Sequence, residues 1–82
     1  MVLRDIYNVV GEAAQETFFE EMFSIYEVIN ANTEANYYYS SHNDGICLDG
    51  DRSEVFDKEW VLGLPVVGIS ALNGHVLIWV DG

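Results

Sequence analysis

Positive charge is what this chain has least of. Lys and Arg together number three, Asp and Glu fourteen, and the formal net charge is −11. Free nucleic acid is therefore not an expected partner, because phosphates are held by Lys and Arg. An anionic membrane surface is disfavoured on the same ground. Cysteine is nearly as scarce. The single Cys47 leaves no intrachain disulfide within these residues and fits a reducing compartment. No apolar run approaches the ~18 residues of a spanning helix. The opening Met-Val-Leu-Arg-Asp lacks the basic-then-apolar pattern of a signal peptide, so a cytoplasmic protein is expected.

What is abundant is apolar side chain. Hydrophobic residues make up 50% of the chain and aromatics 13%, too many for intrinsic disorder. The 82 residues form one domain, residues 1–82. A domain of this size buries only about 60–65% of the surface its unfolded chain exposes. Some apolar surface should therefore remain for another chain, either a second copy or a partner.

Periodicity predicts an α+β fold, with N-terminal helices packed on a short antiparallel sheet that ends in a C-terminal β-hairpin. Leu3, Ile6, Tyr7 and Val10 lie at helical spacing, and Gly11 punctuates the segment. From residue 12 to 29 a longer helix is favoured. Phe18, Met22, Ile25 and Ile29 fall one above another, with Phe19, Phe23 and Tyr26 beside them. A competing reading makes residues 23–31 a strand, since that stretch is also rich in β-formers. Tyr37, Tyr38 and Tyr39 predict a short strand, and Ile46, Cys47 and Leu48 another, with a turn at Asp49-Gly50-Asp51. A short helix is expected over residues 54–62, capped by Ser53 or Asp57 and ended by Gly63 ahead of Pro65. Residues 66–70 and 75–80 flank Asn73-Gly74, whose tolerance of positive φ predicts a type I′ hairpin. Both hairpin faces are largely apolar, so one should meet the helices and the other a further layer, a subunit or a partner.

Catalytic and metal-binding patterns are weak. Asp49, Asp51 and Ser53 imitate the start of a calcium loop, but Glu54 occupies the glycine position and Trp60 the place of the bidentate carboxylate. His42, Cys47 and His75 match no common zinc spacing. Cys47 lies in an apolar triplet, as a buried small hydrophobe does. No glycine-rich phosphate loop occurs, and neither His42 near Asp44 nor His75 has an identifiable nucleophile to serve. No enzyme activity, cofactor or metal is expected.

The acids are unevenly distributed. Residues 1–30 hold six acids against one base, residues 31–63 seven against two, and residues 64–82 a single acid. On a helix, Glu12, Glu16, Glu20 and Glu27 would share a face, carboxylates one turn apart being separated by about 6 Å of rise. Such like-charge pairs cost roughly 0.2–0.5 kcal/mol each. A protein tolerates that repulsion where the carboxylates occupy a groove built for phosphates. The expected partner is thus a basic protein surface. The candidate contacts are Glu12, Glu16, Glu20, Glu21 and Glu27, then Asp44, Asp49, Asp51, Glu54 and Asp57, with Tyr37, Tyr38 and Tyr39 as aromatic anchors. The alternative is an acidic homo-oligomeric module, assembly- or antitoxin-like, that joins through the apolar hairpin face around Leu77 and Trp79.

In whole-chain character the sequence resembles small acidic proteins encoded by bacteriophages and other mobile elements, including anti-CRISPR and other anti-defence inhibitors. The likeness rests on the acid rows Glu12/Glu16/Glu20/Glu21/Glu27 and Asp49/Asp51/Glu54/Asp57 and on the hydrophobic closing hairpin. The opening from Leu3 to Tyr7 and the segments Val66 to Ser70 and Val76 to Ile78 are similar to short phage products. The resemblance implies a stoichiometric, non-catalytic inhibitor in a bacterial host cell. Its target would be a CRISPR effector or another nucleic-acid-handling protein, bound by nucleic-acid mimicry.

Overall fold

The C-terminal hairpin forms where the Asn-Gly pair predicts it. A computed structural model describes residues 1–20 and 24–82. In it Asn73 and Gly74 take φ values of 52° and 82°, the left-handed pair of a type I′ turn. Among the described residues the order is α1 (Leu3–Val9), α2 (Glu12–Glu16), β1 (Tyr26–Asn30), β2 (Asn36–Ser40), β3 (Gly45–Leu48), β4 (Asp51–Phe56), α3 (Lys58–Leu62), β5 (Val66–Leu72) and β6 (His75–Val80). The strands form one six-stranded sheet in the order β4-β3-β2-β1-β6-β5. This is the α+β class that periodicity predicts, but the sheet is mixed. Strand β1 runs parallel to β6, with Val28 opposite Ile78, while every other neighbour is antiparallel.

Two segments differ from the sequence expectation. The helix expected over residues 12–29 stops at Glu16, and residues 26–30 are the strand β1. As a strand between β2 and β6, this stretch buries Val28 and Ile29, 1% and 7% exposed, on opposite faces. Ile25, assigned to the helical stripe, is 58% exposed. Met22 and Phe23 lie outside the described residues, as does Glu21. The second correction is at residues 54–62, where helix α3 begins only at Lys58 and residues 51–56 form the edge strand β4. Pairing of Ile46 with Phe56 and Leu48 with Asp51 outweighs local helix preference there. Asp57 does stand at the N-cap position and Gly63 at the C-cap.

One face of the sheet carries the main core. Val28, Tyr37, Ile46, Ile78 and Val80 pack against Leu3 of α1, Val61 and Leu62 of α3, and Phe18 and Phe19 of the connecting segment. Phe18 is its aromatic hub, edge-on to Tyr7 at 5.3 Å and stacked on Tyr26 at 5.6 Å. Helix α1 has no Ser or Thr cap. The Asp5 carboxylate accepts from the Val2 N–H at 2.9 Å, and the Leu3 N–H donates to the Leu64 carbonyl at 2.9 Å. The opposite sheet face buries Ile29, Tyr38 and Cys47 and leaves Leu77 and Trp79 half-buried.

Ile78 and Ile69 stand opposite each other in the hairpin, yet Ile78 is fully buried and Ile69 is 53% exposed. Urea denaturation should therefore separate them. Ile78→Ala is expected to cost about 2–5 kcal/mol. Ile69→Thr keeps the β-branch and should change stability by no more than about 0.5 kcal/mol.

Candidate acidic binding site

The site is built around the turn that follows α2. A five-residue helix is marginal in isolation. Here Gly11 enters it at φ 92°, a conformation that favours glycine, and the Gln15 amide donates to the Tyr7 carbonyl at 2.7 Å. Beyond Glu16 the chain leaves the helix so that Phe18 and Phe19 can enter the core. The Tyr39 N–H then donates to the Phe19 carbonyl at 2.7 Å, which locks residues 19 and 20 beside β2.

That lock leaves a groove of about 340 Å³ lined by Gln15, Glu16, Phe19, Glu20, Tyr39, Ile46 and Lys58. The volume lies at the small end of the range for ligand sites, roughly 300–1,000 Å³. Buried Phe19 and Ile46 give it an apolar floor, and exposed Glu16 and Glu20 an acidic rim. A second recess of about 40 Å³ shares Glu20 and is lined by Phe18, Glu20, Tyr26, Glu27, Asn36, Tyr37, Tyr38 and Asp49. It has room for about one water molecule. Glu20 belongs to both hollows, so Glu16, Glu20, Glu27 and Asp49 form a connected group. None of these four lies next to the others along one helix. The pleat and the turn assemble them.

The three tyrosines divide sharply. Tyr37 and Tyr38 are 3% and 7% exposed, so their rings are structural and are not available as partner anchors. Only Tyr39, 48% exposed, fits that expectation. The Tyr37 hydroxyl accepts from the Asn30 amide at 3.1 Å. Burial raises its pKa, the Asn30 bond opposes that rise and the Glu54 charge adds to it. The Tyr39 hydroxyl donates to Asp44 Oδ1 at 2.9 Å, joining Asp44 to the groove through the ring.

Four other predicted residues lie apart from these hollows. Glu12 opens α2, Asp51 and Glu54 sit on the edge strand β4, and Asp57 precedes α3. Asp51 is occupied locally, accepting from the Ser53 hydroxyl at 2.6 Å and the Ser53 N–H at 3.1 Å. These bonds favour its ionised form and lower its pKa. Sequence reasoning had no means of finding Phe19 and Ile46 as a groove floor. They line it next to the long-range Tyr39-to-Phe19 backbone bond, and by type they read only as core.

Little positive charge offsets the rim. Among the described residues the one ion pair joins Arg4 to Glu59. Lys58 lines the groove but turns its Nζ to the Tyr7 hydroxyl at 3.0 Å, 5.1 Å from that ring's centre. Cys47 is buried, with the Asn43 amide 3.6 Å from its sulfur, and His42 and His75 are exposed. Among the described residues no group of three His, Cys, Asp or Glu is placed to hold a metal ion, and no helix is long and apolar enough to cross a membrane.

Hydrogen bonding to Asp44, followed by the Asp44 charge, raises the Tyr39 pKa above the ordinary tyrosine value of about 10. A raised folded-state value means that any stabilisation is present below pH ~10 and is lost as pH rises through the folded-state pKa. Residue-resolved NMR titration should show Tyr39 ionising at higher pH than an unperturbed tyrosine, and Asp44→Asn should bring its midpoint down. Comparison with family models, curated proteins and solved structures returns no match.

Proposed function

We propose that this protein is a non-catalytic inhibitor that occupies the basic, nucleic-acid-binding surface of another protein in place of DNA or RNA. A host defence protein such as a CRISPR effector is the target class that the resemblance to phage anti-defence proteins suggests. The observation that carries the reading is a group of four carboxylates beside two hollows that share Glu20, in a molecule whose C-terminal hairpin is uncharged. Glu16, Glu20, Glu27 and Asp49 gather around one turn. Residues 60–80, which include all of β5 and β6, contain no Asp, Glu, Lys or Arg. A field concentrated in this way accelerates encounter with a cationic surface and disfavours other partners. It also opposes folding through self-repulsion, a cost that a bound cationic partner offsets.

The test is capture of nucleic-acid-binding proteins from a bacterial lysate at low and high salt, followed by titration against the protein that elutes. Binding should weaken as salt screens the attraction, and DNA or RNA should compete. Combined Glu16→Gln, Glu20→Gln and Glu27→Gln should weaken affinity by about tenfold or more, ~1.4 kcal/mol, with the fold unchanged. Unaltered affinity in that variant excludes this surface as the contact.

A second reading, self-association through the hairpin, is favoured by a different observation. Within the hairpin the large exposed apolar side chains are those of Val67, Ile69 and Leu72 on β5, whereas the expected Leu77 and Trp79 are half-buried. The two sheet edges are opposites. Strand β4 carries Asp51 and Glu54, the charged guard common on free edges, and β5 carries no charge at all. Light scattering should then show a dimer that persists at high salt and is dissociated by Ile69→Lys. A monomer at every concentration removes this reading and leaves the first intact.

A further inference from the structure

We propose that the groove between α2 and the β2–β3 pair receives a single arginine side chain of the partner. This rests on the reading that the partner surface is basic, and it names the chemistry recognised at one place on the acidic side.

An arginine has an apolar stem and a planar, charged head, and it lies along apolar surface while its head reaches polar groups. The groove presents the same sequence of environments. Its floor is Phe19 and Ile46, 6% and 1% exposed, its wall includes the Tyr39 ring, and Glu16 and Glu20 stand at its rim. Lys58 lines the groove with its Nζ on the Tyr7 hydroxyl, and Arg4 pairs with Glu59. Among the described residues no cation forms an ion pair with Glu16 or Glu20, so the rim offers two unpaired carboxylates beside an apolar floor. That combination complements a cationic side chain and opposes an anionic or purely apolar occupant.

The lining favours guanidinium over ammonium. Five donors in a rigid plane can serve two carboxylates at once, and the same plane stacks on an aromatic face, which a compact and strongly hydrated ammonium does less well. Tyr39 supplies that face. Its hydroxyl is tethered to Asp44 and its backbone N–H to Phe19, so the ring is held in place before any partner arrives. Preorganisation of this kind lowers the ordering cost of binding.

The test uses isotope-labelled protein titrated with hexa-arginine and with hexalysine peptides at low salt, followed by NMR and calorimetry. Hexa-arginine is expected to bind about tenfold more tightly than hexalysine and to shift the amide signals of Glu16, Phe19, Glu20 and Tyr39. Tyr39→Ser should abolish the arginine preference and Tyr39→Phe, which keeps the ring, should retain it. The pair Glu54→Gln and Asp57→Asn should leave the preference in place. Equal affinity for the two peptides, or shifts centred on Asp51 and Glu54, overturns the arginine groove while the acidic-surface reading stands. No binding of either peptide, together with no salt-sensitive capture of a basic protein, overturns both.

Discussion

The parallel pairing of β1 with β6 holds two unlike halves of this molecule together. Tyr26 through Asn30 align with Val76 through Val80, so the first strand of the chain lies beside the last. Parallel neighbours require a long connection, and here it comprises β2 to β4, α3 and β5. One side of the seam is an antiparallel meander whose turns and flanking helices carry most of the charge. The other side is a hairpin with none. Val28 and Ile78 face each other across the seam, 1% and 0% exposed, in the middle of the core. The pairing thus organises the interior and sorts the exterior.

That sorting gives the acidic residues a geometry that no single element could supply. Glu16 ends a helix, Glu20 closes a turn, Glu27 is on a strand and Asp49 is in a hairpin turn, yet the two hollows that share Glu20 collect all four. The carboxylates do not form the helical row that their spacing suggests. The self-repulsion they bring is carried by a core of modest size, in which the contacts of Phe18 with Tyr7, Phe19 and Tyr26 anchor the segment that bears Glu20. Charge and packing meet at residues 18 to 20. Aromatic burial there fixes the position of the acids, and the Tyr39-to-Phe19 backbone bond shapes the groove beside them.

The sequence disclosed those features that are local. Asn73-Gly74 defines its turn by backbone preference alone, and the run of three tyrosines reads as a strand because aromatic residues fit a pleated surface. Residues 12–29 were ambiguous because Phe18, Ile25 and Ile29 satisfy a helical period while the same stretch is rich in β-formers. The decision belongs to β2 and β6, which are distant in sequence, and tertiary pairing overrides local preference. Residues 51–56 posed the same problem in a charged form, since an edge strand buries little and leaves a faint alternation, Phe56 alone being half-buried among the described side chains. The acidic imbalance and the charge-free hairpin were legible by counting. The groove was not, because its floor is made of side chains that look like ordinary core and its opening depends on a long-range hydrogen bond.

A cationic and a neutral paramagnetic probe of equal size, added separately to isotope-labelled protein, measure the near-surface potential residue by residue. The cationic probe is expected to broaden amide signals near Glu16, Glu20, Glu27, Asp44 and Asp49 far more than the neutral one, with little difference along β5 and β6. Equal enhancement by the cationic probe around the whole exterior would contradict it, leaving the acids as an even coat with no face to present.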